Sequence, residues 1–237
     1  MKLLSIDTST QTASVAVIES GKVMGEMMLN TPLTHSQKLM PLIESLMGQL
    51  SLKIKDFDGF CVCEGPGSFT GVRIGLSSVK AFAQAQGGFV VTETSMGLLA
   101  LGNSVHEGII LSALDAKRKE VYYGIYRSNG RVITKIEEDV MPLAALLEKV
   151  ENMFSAERIL CVGEALNIYP DDFLALREHW NKNNYILGSE NHNLIRASSF
   201  AHLTLTSGHY KTYQDVKANY MRKSQAERDQ DKKREAL

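Results

Sequence analysis

The chain is poor in cysteine, in net charge and in long apolar runs. Its 237 residues carry three cysteines, a formal net charge of -1 and no stretch of 18 apolar residues. Each shortage excludes something. Cys61 and Cys63 alternate on one strand face, Cys161 lies far away, and no Cys-x-x-Cys pair exists, so the thiols read as reduced and the protein as cytoplasmic. Without a long apolar run no membrane span is expected, and the run Leu3–Ile6 is too short for a signal peptide. A near-neutral charge provides no general pull on nucleic acid. Only the end is basic, with eight Lys/Arg against five Asp/Glu over residues 211–237. The six histidines are never four apart, so no helical two-histidine metal pair is formed. A Gly-Lys-Ser/Thr phosphate loop and a G-x-S-x-G nucleophile elbow are also missing.

What is present centres on Gly65–Gly75, GPGSFTGVRIG. It follows the apolar run Phe60–Cys63 and opens a helix predicted to reach Gln86, with Ser68 or Thr70 as N-cap and Gly87-Gly88 as the stop. At about 100° per residue, Arg73, Ser77, Lys80 and Gln84 share one narrow wet arc. Val72, Leu76 and Val79 form a dry face of large residues. Gly71, Gly75, Ser78, Ala81 and Ala85 form a second dry face of small ones, broken by Ile74 and Phe82. Mid-helix glycine costs roughly 1 kcal/mol against alanine, and close approach of another backbone is the usual compensation. The helix predicted over Ser36–Leu50 is also dry over a wide arc, through Leu39, Met40, Leu42, Ile43, Leu46, Met47 and Leu50. Both helices therefore offer more apolar surface than one core contact uses. Leu39, Met40, Ile43, Met47, Gly71, Gly75, Ser78 and Phe82 become the candidate partner interface, with His35 a capping or interface residue. Gly75→Leu is expected to weaken association and spare the fold.

Element order repeats. Strands at Leu3–Ile6, Thr12–Glu19 and Val23–Leu29, then alternating helix and strand, recur from Ile109 as strands at Ile109–Leu114, Val121–Arg127 and Val132 onward. Asp7 precedes its hairpin Gly21 by 14 positions, and Asp115 precedes Gly130 by 15. A helix is predicted from Pro142 to Met153, with helical segments at Asp171–Trp180 and Leu194–Ser207. Occurring twice, this order is the architecture of the actin-like, Hsp70-like and sugar-kinase ATPases (the ASKHA fold), two tandem α/β domains with mixed sheets. The divisions are 1–105, 106–223 and a charged tail, 224–237. In that fold Asp7-Thr8-Ser9 and Asp115 stand where phosphates are held, but Ser9 replaces the usual glycine, so the site is a degenerate one. The two aspartates can equally cap strand ends without a nucleotide. Gly65, Gly67 and Gly71 with Glu93 also imitate a dinucleotide fingerprint, which Pro66 weakens by removing an N–H. These patterns hold open a nucleotide-dependent enzyme, a kinase-like ATPase or an NADP-binding oxidoreductase.

Several motifs now align with one family. IDTST (6–10), THSQKLMPLI (34–43), GPGSFTGVRIG (65–75), LDAKRKEVYYGIY (114–126), VGEALNIY (162–169) and NYMRKSQAE (219–227) resemble TsaB, also called YeaZ. Ala218 stands where the family usually has proline. The resemblance implies the ASKHA fold and a part in forming threonylcarbamoyladenosine at position 37 of tRNAs that read ANN codons. It implies a non-catalytic scaffold without metal or tightly bound cofactor, although an adenine nucleotide can lie at the partner junction. Its implied partners are the catalytic subunit TsaD, the ATPase TsaE through the complex, another copy when alone, and tRNA only through the complex. It also implies that the old glycoprotease label describes no protease site.

Overall fold

The computed structural model describes residues 1–179, 184–203 and 210–221. Trp180 and the tail 224–237 lie outside the described residues. Two five-stranded mixed sheets follow one plan. The first contains β1 (Lys2–Asp7), β2 (Ala13–Glu19), β3 (Lys22–Leu29), β4 (Gly59–Cys63) and β5 (Phe89–Glu93), in the order β3-β2-β1-β4-β5. The second contains β6 (Glu107–Asp115), β7 (Glu120–Asn129), β8 (Ile133–Pro142), β9 (Ile159–Val162) and β10 (Tyr185–Leu187), in the order β10-β9-β6-β7-β8. With β6 as first strand, the second order is that of the first sheet. In both, a three-strand antiparallel meander continues into parallel strands.

Side-chain alternation separates three cores. Leu4, Ile6, Phe60 and Val62 face outward beneath α1 (His35–Gln49) and α2 (Phe69–Gln86). Leu3, Cys61, Cys63 and Val91 face inward, toward Ile110, Leu114 and Tyr126 of the second sheet. Between the sheets lies α3 (Ser95–Gly102), whose residues 95–101 are all buried; a helix apolar on every side has to be internal. The far side of the second sheet is covered by α4 (Leu143–Phe154), the short α5 (Ala165–Ile168) and α6 (Pro170–His179). No helix among the described residues is long and apolar enough to cross a membrane.

The sequence reading needs correction at its C-terminal end. The helix expected over 194–207 is a 3-10 helix at Ala197–His202, preceded by another at Glu190–Asn193; residues 204–207 lie outside the described residues. Its backbone is taken by the first sheet: Ala197 N–H donates to Ser14 Oγ at 2.9 Å and Ser198 N–H to Glu26 Oε1 at 3.0 Å. Later residues also return to that sheet. Lys211 pairs with Val90 along β5, Val216 is fully buried in the first core, and Asn219 N–H donates to the Glu64 carbonyl at 2.8 Å. This strap covers the β5 edge, which would otherwise expose unpaired backbone groups.

Candidate functional site at the cleft between the sheets

The glycine-rich stretch folds around the turn that ends β1. Ser68 caps α2, its hydroxyl accepting the Gly71 N–H at 3.2 Å, while its own N–H donates to the Ser9 carbonyl at 2.7 Å. Thr8 Oγ1 donates to the Gly71 carbonyl at 2.8 Å. A Cβ on Gly67 would stand 2.1 Å from the Ser9 carbonyl oxygen, and one on Gly71 2.1 Å from that of Thr8. On Gly75 it would meet Thr8 Oγ1 at 2.6 Å. The clearance made by all three glycines is occupied by this chain's own backbone and hydroxyl groups. At Gly67 and Gly71 the occupants are carbonyl acceptors, whereas a phosphate is bound by N–H donors. Glu93, the other half of the dinucleotide pattern, is engaged elsewhere: it accepts the Thr94 N–H at 2.8 Å, and burial followed by the nearby Glu138 raises its pKa.

Asp7 lies beneath this lid. It is fully buried, and Oδ1 accepts the Ser9 N–H at 3.1 Å and the Ser9 hydroxyl at 2.7 Å. Among the described residues Oδ2 has no hydrogen-bond partner. Burial pushes the carboxyl up to about 6, against the hydrogen bonds from Ser9 and Cys63. Cys63 Sγ in turn lies 3.1 Å from Ser95 Oγ, whose hydroxyl donates to the Pro66 carbonyl at 2.6 Å.

Above the lid is a cleft of about 300 Å³ between the sheets. Ser9, Thr10, Gln11, Gly67 and Ser68 form one wall; Asp115, Ala116, Lys117, Tyr122 and Glu164 form the other. Ser9 therefore reaches the cleft while Asp7 and Thr8 stay underneath. Asp115 Oδ1 accepts the Lys117 N–H and the Tyr169 hydroxyl, both at 2.8 Å, and Oδ2 pairs with Lys117 Nζ at 2.6 Å. Burial pushes Asp115 up, but the bonds from Lys117 and Tyr169 outweigh it and hold the carboxyl below its usual range. Burial, followed by the charge of Asp115, raises Glu164. Lys117, Arg118 and Lys119 at the hairpin tip all have positive φ, between 58° and 67°. Three such non-glycine residues in succession are uncommon. Among the described residues, no group of three or more His, Cys, Asp or Glu side chains is placed to hold a metal ion.

The eight interface candidates divide. Leu39, Ile43, Gly71 and Gly75 are buried against the first sheet. Met40 is 42% exposed; Met47, Ser78 and Phe82 are half-buried, with the Phe82 ring 5.8 Å from that of Phe60. The split of α2 by texture therefore falls elsewhere than the sequence reading drew it. Small Gly71 and Gly75 and large Val72, Leu76 and Val79 all share the buried face. Still, α2 keeps a second dry side, made of Ile74, Ser78, Ala81, Phe82 and Ala85, half-buried or exposed, from which Ile74 and Phe82 reach the first core only in part.

Sequence reasoning did not single out Lys38. This lysine is 2% exposed, and its ammonium donates to the carbonyls of Gln11 at 2.7 Å and Thr31 at 3.3 Å. Its signal was there: it lies on the stripe formed with His35, Leu39, Leu42 and Leu46, at helical spacing.

Duplicated mixed sheets facing across a cleft define an actin-like α/β protein. The family model for TsaD, tRNA N6-adenosine threonylcarbamoyltransferase, matches residues 30–208. The tRNA threonylcarbamoyladenosine biosynthesis protein TsaB of Bacillus subtilis (strain 168) is 32% identical over 152 residues, which are 64% of this chain and 66%, just under two thirds, of that protein. TsaB of Escherichia coli (strain K12) is 29% identical over 175 residues, 72% of this chain and 74% of that protein. Among solved structures, YeaZ from Pseudomonas aeruginosa aligns with a TM-score of 0.75 at 24% identity, covering 92% of this chain and 99% of that one, a likeness of fold. The chain belongs to the family that the TsaD model describes, on its TsaB/YeaZ branch.

Proposed function

We propose that this chain is a scaffold subunit of the machinery that forms threonylcarbamoyladenosine in tRNA. It performs no chemistry of its own and acts by holding a TsaD-like catalytic subunit against the outer side of α1 and α2. The observation that carries this reading is the second dry side of α2, which the first core covers only in part: Ile74, Ser78 and Phe82 stay half-buried, Ala81 and Ala85 are exposed, and on α1 Met40 is exposed. The pathway comes from the names of the relatives, and the fold they share makes a TsaD-like partner a near structural match for a second copy. The non-catalytic role is supported by Asp7, the carboxylate in the phosphate position, being buried beneath Ser9. In the absence of the catalytic subunit, a second copy covers the same face as an isologous homodimer. TsaE-like ATPase and tRNA join through the complex, and any adenine nucleotide sits at the partner junction. The protein works in the cytoplasm.

Met40→Glu combined with Ala81→Glu places charge on an exposed position of each helix without touching the core. Sedimentation of the purified chain with its TsaD-like subunit should show at least a tenfold loss of affinity, about 1.4 kcal/mol, with the thermal midpoint nearly unchanged. Mass spectrometry of tRNA nucleosides from cells carrying only the double variant should show reduced threonylcarbamoyladenosine. Unchanged affinity would overturn the assigned face, and unchanged modification after complete depletion of the protein would overturn the pathway.

A further inference from the structure

The loop that forms one wall of the cleft is held from behind by the same two helices that offer their outer sides to a partner. At the start of α2, Gly71 of the helix, its cap Ser68 through the N–H, and Gly67 just before it close on the carbonyls of Thr8 and Ser9. From α1, the buried Lys38 ammonium donates to Gln11 at 2.7 Å. The His35 ring meets the Thr10 backbone, with its Cδ2 and Nε2 atoms 2.9 and 3.1 Å from where a Gly71 Cβ would stand. Among the described residues Lys38 thus has two carbonyl acceptors and no carboxylate, one acceptor on the cleft loop and the other, Thr31, just ahead of α1. A buried ammonium that loses an acceptor leaves a charge-assisted donor unmatched, which is costly in a dry interior. Sliding α1 away from the loop and opening the loop away from α1 both incur that penalty.

We infer that the outer α1–α2 face and the cleft between the sheets are coupled through the loop at residues 8–11, with Lys38 and His35 as the positioning residues. This rests on the proposed partner face. A partner seated on α1 and α2 restrains both helices and raises the free energy of local loop opening, so the cleft wall opens less often in the complex than in the chain alone. By linkage, whatever fills the cleft strengthens partner binding by the same factor.

Amide hydrogen exchange at Ser9 and Ser68, whose N–H groups donate to Asp7 Oδ1 and to the Ser9 carbonyl, tests this, measured on the intact chain alone at high dilution and in complex with its TsaD-like subunit, with sedimentation reporting complex formation in the same samples. Exchange in the wild type should slow on complex formation by roughly 5- to 150-fold, the usual span of coupling between sites. In Lys38→Met the free chain should exchange faster at these two amides, and the slowing should shrink to less than about threefold. A wild-type complex that forms while loop exchange stays the same overturns the coupling and leaves the partner face standing. A complex that does not form overturns both. If Lys38→Met does not fold, the wild-type comparison decides the matter alone.

Discussion

At the scale of single residues, the most consequential group is Asp7. Its folded pKa of about 6 exceeds the ordinary carboxylate value of 3.8, so the folded state binds this proton more tightly than the unfolded chain. The resulting stabilisation is fully present below about pH 4 and is lost as pH rises through about 6. A difference of about two units corresponds to about 3 kcal/mol. Asp7→Asn keeps the shape and the acceptor for Ser9 but removes the titration. Urea unfolding from pH 4 to 7 should therefore show wild-type stability falling relative to the variant by up to about 3 kcal/mol. A gap that is flat or widens in favour of wild type would contradict the buried, unpartnered Oδ2. The sequence marked Asp7 as a phosphate-site residue but not its burial, because burial comes from Ser9, Cys63 and a loop some sixty positions away. Lys38 stayed unnoticed for a related reason: lysine is almost never fully buried, so its place on a dry stripe was easily read as solvated.

At the scale of elements, most of the architecture was legible. The cap expected at Ser68 or Thr70, which the structure places at Ser68, and the Gly87 stop, which takes the left-handed conformation at φ 80°, set α2 within two residues of its observed bounds. The Ser20-Gly21 turn, with φ of 50° and 78°, is where the first hairpin was expected. What α2 does with its faces was not legible, since a helical wheel fixes angles between side chains and leaves the direction of the core open. The structure turns Gly75 onto Thr8, which changes one expectation. Gly75→Leu should damage the fold as well as any assembly, because its Cβ alone would stand 2.6 Å from Thr8 Oγ1. Overpacking of this kind costs about 1–3 kcal/mol and more when backbone has to move. Thermal unfolding of the isolated chain at low concentration checks this, and a midpoint equal to wild type would return Gly75 to the outer face.

For the whole molecule, the second half repeats the first in strand order while its own end crosses back. Val216, from the strap, is fully buried with Leu4, Val62 and Val90, so the core of the first sheet is completed by residues more than a hundred positions further along. Tyr220 adds an outer fastening: its ring stacks on Phe69 at 4.9 Å and its hydroxyl accepts the Arg73 Nε–H at 2.8 Å. Val216→Ala should cost about 2 kcal/mol by leaving a cavity in the first core. Hydrogen exchange should quicken in β4 and β5 more than in β9. An equal effect on both sheets would mean that the two halves unfold as one unit, and no effect that the strap is not seated.

The sequence by itself determined the element order, its duplication, the caps and turns, and the family, because these rest on patterns local to a few residues or on motifs read whole. Only the tertiary structure decided which face of α2 is inside, that three glycines make room for Thr8 and Ser9, that a lysine is buried against the cleft loop, and that the chain's end closes its beginning. Those features come from contacts between residues about 30 to 180 positions apart. Small side chains and carbonyls fit many neighbours equally well, so nothing in their local pattern names the neighbour they will meet.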